Sequence, residues 1–123
     1  MSKTSIVYYR EGEVVPILEW LGTLQPKARE VCLRRLRDLE LEGHKLRRPH
    51  SARLVHGIYE LRAKSRGINL RMLYFFHGKL AVVMSHGFQK QEGLVPFTEI
   101  HRAVQRMKRF EADREAHTHE AEI

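Results

Sequence analysis

Five side chains between positions 60 and 90 have the chemistry to bind a phosphate or transfer a proton. They are Glu60, Arg62, Arg71, His86 and Lys90. Alternation along an extended strand predicts that Glu60 and Arg62 share one face. Arg71 interrupts an otherwise apolar segment, where a buried unpaired guanidinium is unfavourable. We therefore expect Arg71 to contact a carboxylate or a bound anion.

Together these groups would suit phosphodiester cleavage without a metal. A base removes the proton of an RNA 2′-hydroxyl, an acid protonates the leaving oxygen, and cations stabilise the charge on phosphorus. Arg71 and Lys90 are the best candidates for the cations, and Glu60 or His86 for proton transfer. Taken alone, Glu60 with Arg62 is more simply a surface ion pair, and His86 a hydrogen-bonded strand residue. Only their convergence would make a site, and the strand register that decides it cannot be read from the sequence.

Positive charge is concentrated in one part of the 123-residue chain, whose net charge is +7. Residues 110–123 hold one arginine against five acidic residues, a net charge of −4, which leaves +11 on residues 1–109. The segment from His44 to Arg71 contains eight lysine and arginine residues and a single acidic residue, Glu60. Such a segment favours a polyanionic partner, although a solvated surface is the simpler alternative. The candidate RNA contacts are Lys45, Arg47, Arg48, Arg53, Lys64, Arg66 and Tyr74. For Tyr74, packing in the sheet core is the favoured interpretation.

The amino-terminal half predicts a strand followed by two helices. Thr4–Tyr9 is rich in β-branched and aromatic residues, which is typical of a strand. Pro16 and Pro26 each suit the first turn of a helix, and apolar residues follow at helical spacing. Gly43 is expected to end the second helix. Residues 44–56 have no periodicity and are expected to form a basic loop.

The remaining elements are predicted to be three strands and a helix. The strand-like segments are Gly57–Lys64, Asn69–His77 and Leu80–Gln89, which predict an antiparallel meander. A helix follows Pro96 and is expected to extend to about Ala116. We therefore expect one α+β domain over residues 1–116, with a helical hairpin and a carboxyl-terminal helix packed on a small antiparallel sheet. Residues 117–123 are expected to be a frayed tail.

Several functional classes are disfavoured by composition. No apolar segment approaches the ~20 residues of a membrane span, so we expect a cytoplasmic protein without membrane contact. The single cysteine, Cys32, lies on an apolar helix stripe and is expected to be a buried hydrophobic residue. No metal site or cofactor is expected, because cysteine pairs and glycine-rich phosphate loops are absent and His117 with His119 have no further ligand cluster.

The order of motifs from Lys45 to Met107 resembles the HigB-like branch of the RelE/ParE superfamily of bacterial toxins. The matching features are a Lys-Leu before a basic loop, Gly-x-Tyr-Glu-Leu-Arg at 57–62, Arg-x-Leu-Tyr-Phe at 71–75, His-Gly-Phe-x-Lys at 86–90, and Pro96 with Glu99-Ile100 opening a helix. Two departures remove positive charge. The family often has two lysines where this chain has Lys90 and Gln91, and some relatives carry lysines where it has Ile58 and Glu60.

The resemblance implies a RelE-like fold and a toxin that cleaves messenger RNA in the ribosomal A site without a metal. It implies that Arg71 contacts the scissile phosphate and that Lys90 is the basic residue at the end of the last strand, with Glu60 and Arg62 as polar groups beside them. The implied partners are the ribosome, mRNA and a helix-turn-helix antitoxin, with operator DNA bound only by the toxin–antitoxin complex.

Two alternatives remain open for the function. One is a ParE-like toxin that inhibits DNA gyrase by occupying it. The other is an inactive, nucleic-acid-binding relative of the toxins, for which Gln91 is the motivating departure.

Overall fold

The computed structural model describes residues 4–83, 87–90 and 93–120. Within these ranges it contains three α-helices and a seven-stranded, mainly antiparallel sheet. This confirms the predicted α+β class and is consistent with a RelE-like fold.

The amino-terminal elements follow the predicted order. Strand β1 (Ser5–Tyr9) leads to helix α1 (Pro16–Thr23) and helix α2 (Pro26–Glu42). Both helices begin at a proline, where the missing N–H needs no partner. Gly43 ends α2 with φ of 54°, a left-handed conformation that costs glycine little. The helical hairpin is therefore confirmed at both ends.

The basic loop is more structured than predicted. It contains a short 3-10 helix (Gly43–Lys45) and strand β2 (Ser51–Arg53), which pairs antiparallel with β3 (Tyr59–Ser65). β2 has no alternating pattern of its own, and its formation depends on hydrogen bonding to β3 rather than on local sequence.

The central meander is confirmed, with one change. β3 pairs with β4 (Ile68–His77), and the first half of β4 faces β6 (Phe88–Lys90) while its second half faces β5 (Leu80–Val83). The single strand predicted over Leu80–Gln89 is thus two described strands. The sheet order is β2-β3-β4-β5-β1-β7, with β6 beside β4, and β5 pairs parallel with β1.

The sheet is covered on both faces. One apolar cluster joins it to α1 and α2 through residues such as Leu36, Leu61 and Met72. The other joins its opposite face to helix α3 (Phe97–Ala112) through Phe75, Ala103 and Phe110. Cys32 belongs to the first cluster and is fully buried, as predicted, and burial raises the pKa of its thiol to about 11.

The carboxyl-terminal helix is shorter than predicted. It ends at Ala112 instead of about Ala116, because Asp113 leaves the helical conformation and its carboxylate accepts a hydrogen bond from the Ala116 N–H. The chain then returns to the sheet, where β7 (Thr118–His119) pairs with β1. His117 stacks on Tyr9 and its Nδ1 lies 2.8 Å from the Arg10 carbonyl oxygen. The expected fraying therefore does not apply to residues 117–119.

Gly87 lies against the indole ring of Trp20. A Cβ atom added to Gly87 would come within 2.2 Å of Cε3 of that ring, so Gly87→Ala requires the Trp20 ring or the backbone at Gly87 to shift. We expect it to lower the free energy of unfolding by about 1–3 kcal/mol, the usual cost of overpacking. Urea-induced unfolding measures the change.

The matched control for this substitution is Gly22→Ala. Gly22 lies in α1 and has open space where a Cβ would go. Alanine there is expected to raise stability by about 0.5–1 kcal/mol, because glycine is the poorer helix former. Equal stability of Gly87→Ala and the wild type would show that the Trp20 contact is not tight.

Candidate functional site

The β3–β4 ladder brings the predicted charged residues together. Arg62 is directly opposite Arg71, and Lys64 is opposite Asn69. Because facing residues of an antiparallel pair point to the same side, these side chains share one face of the sheet. Glu60 lies two residues before Arg62 and joins them, as alternation predicted.

Glu60 is the centre of the charged cluster formed by Glu60, Arg62 and Arg71. Arg62 donates to Oε1 of Glu60 from Nε at 2.7 Å, and its Nη2 lies 2.6 Å from the same oxygen. Nε of Arg71 lies 3.5 Å from Oε2, and Nη1 of Arg71 donates to the Leu70 carbonyl at 3.0 Å. Glu60 is 1% exposed and Arg71 is 8% exposed. The cluster is thus a buried ion triad open at Arg62, whose side chain is 23% exposed.

The pairing within the triad is incomplete. Oε2 of Glu60 and Nε of Arg71 are both buried, and neither makes a hydrogen bond within the described part of the chain. Burial lowers the pKa of Arg71, with Glu60 opposing the shift and Arg62 adding to it. Two guanidiniums around one carboxylate leave a net charge of +1, which a bound anion would offset.

The geometry favours a positioning role for Glu60 over proton transfer. Its side chain is 2% exposed, and Oε1 is already engaged by Arg62. A substrate hydroxyl would have to displace a guanidinium to reach it. Glu60 is well placed to hold the two guanidinium groups side by side, where their fork geometry suits a phosphate.

Strand β6 places Lys90 on the neighbouring strand. Phe88 is opposite Arg71 and Lys90 is opposite Asn69, so Lys90 occupies a backbone position next to the triad. His86 lies outside the described residues. Asn69 is a polar neighbour that the sequence analysis missed, although its position two residues before Arg71 on the same strand was a usable signal.

The predicted RNA contacts divide into two groups. The exposed cations are Lys45, Arg47, Arg48, Arg53, Lys64 and Arg66. Tyr74 is instead 1% exposed and lies on the face that packs against α1 and α2. Its hydroxyl is hydrogen-bonded to Ser51, and burial raises its pKa to about 12. The core interpretation of Tyr74 is confirmed, and a direct contact with RNA is not compatible with its burial.

Two further observations concern the described part of the chain. It contains no group of three or more histidine, cysteine, aspartate or glutamate side chains arranged to hold a metal ion. None of its helices combines the length and the apolar character that crossing a bilayer requires.

Comparison with known proteins identifies the family. Residues 19–108, which include the second part of α1, all of α2, the triad and most of α3, match the family described as "Phage derived protein Gp49-like (DUF891)". No curated protein shows a significant match to the chain. Each toxin of a toxin–antitoxin system is paired with an antitoxin, so membership of a family of such toxins implies an antitoxin partner. Since the match covers well over half of its length, the chain belongs to the Gp49-like family, a RelE-like family of toxin–antitoxin toxins.

Proposed function

We propose that this protein is a HigB-like toxin that cleaves messenger RNA on the ribosome and thereby inhibits translation. The observation that carries the proposal is the buried triad, in which Arg71 and Arg62 stand opposite each other around one carboxylate and keep a net positive charge. Family membership supports a toxin, and the chemistry of the triad supports a phosphate as the bound group.

The proposed reaction is attack of an RNA 2′-oxygen on the adjacent phosphorus. The 2′-hydroxyl loses its proton to a base, the bond from phosphorus to the 5′-oxygen breaks, and that oxygen takes up a proton. The products are a 2′,3′-cyclic phosphate and a 5′-hydroxyl end. Arg71, with Arg62 and Lys90, stabilises the charge on the non-bridging oxygens. His86 is the candidate for proton transfer, and Glu60 positions the arginines.

The departure from the family pattern at Ile58 and Glu60 has a structural context, whereas Gln91 lies outside the described residues. Ile58 is fully buried in the cluster beneath α3, so a lysine at this position would lie in the apolar core. Arg62 supplies a cation directly opposite Arg71 instead. We infer that Arg62 on β3 replaces the positive charge that is absent at Ile58 and Glu60.

The exposed cations extend the proposed site toward a larger polyanion. Lys64 and Arg66 lie at the end of β3 and in the turn to β4, and the segment 45–53 lies at the β2 edge of the sheet. Each phosphate that such residues neutralise releases counterions, so binding to ribosomal RNA is expected to weaken steeply with salt. In this proposal a helix-turn-helix antitoxin blocks the toxin in the cytoplasm, and the complex rather than the toxin binds operator DNA.

Mapping RNA 5′ ends after induction tests the proposed function. Induced wild-type protein is expected to produce new ends within translated codons, and Lys90→Ala far fewer at equal protein level. Absence of new ends with the wild type would overturn the proposal. A parallel supercoiling assay with purified gyrase covers the ParE-like alternative, for which inhibition in the absence of RNA cleavage is the diagnostic result.

A further inference from the structure

A cleft of about 480 Å³ lies on the opposite face of the sheet from the triad. One wall is the turn between α1 and α2, residues 23–28, and the other is the β3–β4 hairpin end with Arg66 and Ile68. Leu70 and Gln89, which face each other on β4 and β6, also line it. Its volume falls within the range of small-molecule sites, roughly 300–1,000 Å³.

The lining of the cleft combines cations, amides and apolar surface. Lys27 and Arg66 are both exposed cations, and none of the described residues that line the cleft is acidic. Gln25 and Gln89 carry amides able to read the edge of a base. Ile68, which is 46% exposed, adds apolar surface on which a flat ring can pack. Cations for a phosphate, amides for the edge of a base and apolar surface for its ring are together suited to binding a nucleotide.

Arg66 occupies the cleft at a conformational cost. Its φ is 50°, and Gly67 follows with φ of 81°, so the hairpin turn has two left-handed residues. Asparagine or glycine suits the first of these positions much better than arginine. Arg66 therefore lines the cleft from a backbone conformation that arginine seldom adopts.

The cleft and the triad share their supporting strands. Leu70 lines the cleft and its neighbour Arg71 belongs to the triad, because successive residues of β4 point to opposite faces. Among the described residues β6 pairs only with β4, so it forms a sheet edge around which an RNA strand can pass. We propose that the cleft binds one nucleotide of the RNA that flanks the phosphate held by Arg71, an inference that rests on the proposed function.

Binding of adenosine monophosphate to the full chain carrying Arg71→Ala tests the cleft without requiring cleavage or ribosomes. Trp20 is the only tryptophan of the chain, and its carbonyl accepts a hydrogen bond at 2.6 Å from Thr23, which lines the cleft. We expect saturable quenching of its fluorescence and amide shifts in residues 23–28 and 65–70. Adding Lys27→Glu to the Arg71→Ala chain is expected to weaken its binding of adenosine monophosphate at least tenfold.

The matched control is Lys79→Glu, which makes the same change of charge in the β4–β5 turn. Lys79 is exposed and lies about 30 Å from the cleft at the other end of β4. This control is expected to bind like the parent. Thermal unfolding of all variants checks that each is folded.

Three results would overturn the cleft proposal. They are absence of nucleotide binding, equal binding by Lys27→Glu and Lys79→Glu, and binding of inorganic phosphate as tight as that of adenosine monophosphate. Loss of antitoxin binding with unchanged nucleotide affinity in Lys27→Glu would assign the cleft to the antitoxin instead. Since this assay uses no ribosome, its failure is distinct from an absence of new RNA ends, which would overturn the proposed function.

Discussion

Arg71→Ala is expected to lower the rate of RNA cleavage on programmed ribosomes by about 10²–10³-fold, the usual cost of removing one preorganised donor to a developing anion. Arg71 is 8% exposed and its guanidinium is held by Glu60 and the Leu70 carbonyl, so little reorganisation accompanies the reaction. Arg71→Lys keeps the charge without the planar guanidinium, so its cleavage rate should lie between those of the wild type and Arg71→Ala. Single-turnover cleavage at saturating toxin gives the rate.

The control for Arg71→Ala is Arg37→Ala. Arg37 is exposed on α2, which packs on the opposite face of the sheet from the triad. Arg37→Ala removes the same charge as Arg71→Ala. It should leave the cleavage rate within about twofold of the wild-type rate, since a remote exposed charge acts only through screened long-range attraction. A wild-type rate for folded Arg71→Ala would refute the assignment of Arg71 to the scissile phosphate.

Glu60→Gln is expected to lower the free energy of unfolding by about 3–5 kcal/mol. The substitution keeps the shape but removes the only negative charge of the triad, leaving Arg62 and Arg71 facing each other in register with Arg71 buried. Breaking a buried ion pair by neutralising one partner has a cost of this size. Urea-induced unfolding at neutral pH and moderate salt is the measurement.

A second substitution tells whether this loss comes from the uncompensated arginine. In Glu60→Gln with Arg71→Met, one cation is removed as well, and part of the lost stability should return. Glu30→Gln is the matched surface control, because its pair with Arg34 is exposed and worth at most about 0.5 kcal/mol. Additive effects of the two triad substitutions would mean that Glu60 and Arg71 do not interact.

Local pattern predicted the elements whose apolar residues have a clear period. α1, α2 and β4 are examples, and Pro16, Pro26 and Gly43 fixed helix ends to within one or two residues. β2 and β7 were missed because each has three residues or fewer and exists through pairing with a distant strand. The parallel β1–β5 pair joins segments more than 70 residues apart, which no local period encodes.

The sequence predicted which residues form the candidate site but not what each of them does. Residue type and alternation selected Glu60, Arg62 and Arg71, whereas their mutual geometry depends on the register. The two-residue turn at Arg66-Gly67 sets that register by pairing Ser65 with Ile68, which brings Arg62 opposite Arg71. Because the register cannot be read from the sequence, Glu60 was a candidate for proton transfer. Its burial between two guanidiniums is a tertiary effect that the sequence does not display.

The strand order places a cationic segment and an acidic segment at opposite edges of the sheet. The cationic segment 45–53 lies at the β2 edge, while the tail with Glu111, Asp113 and Glu115 is fastened at the β7 edge by pairing with β1. Five strand spacings separate these edges, about 24 Å. In the field of a polyanion, this separation of charge favours orientations in which the β2 edge faces the polyanion. Pairing of β7 therefore contributes to the direction of approach, although it lies on the far side of the sheet.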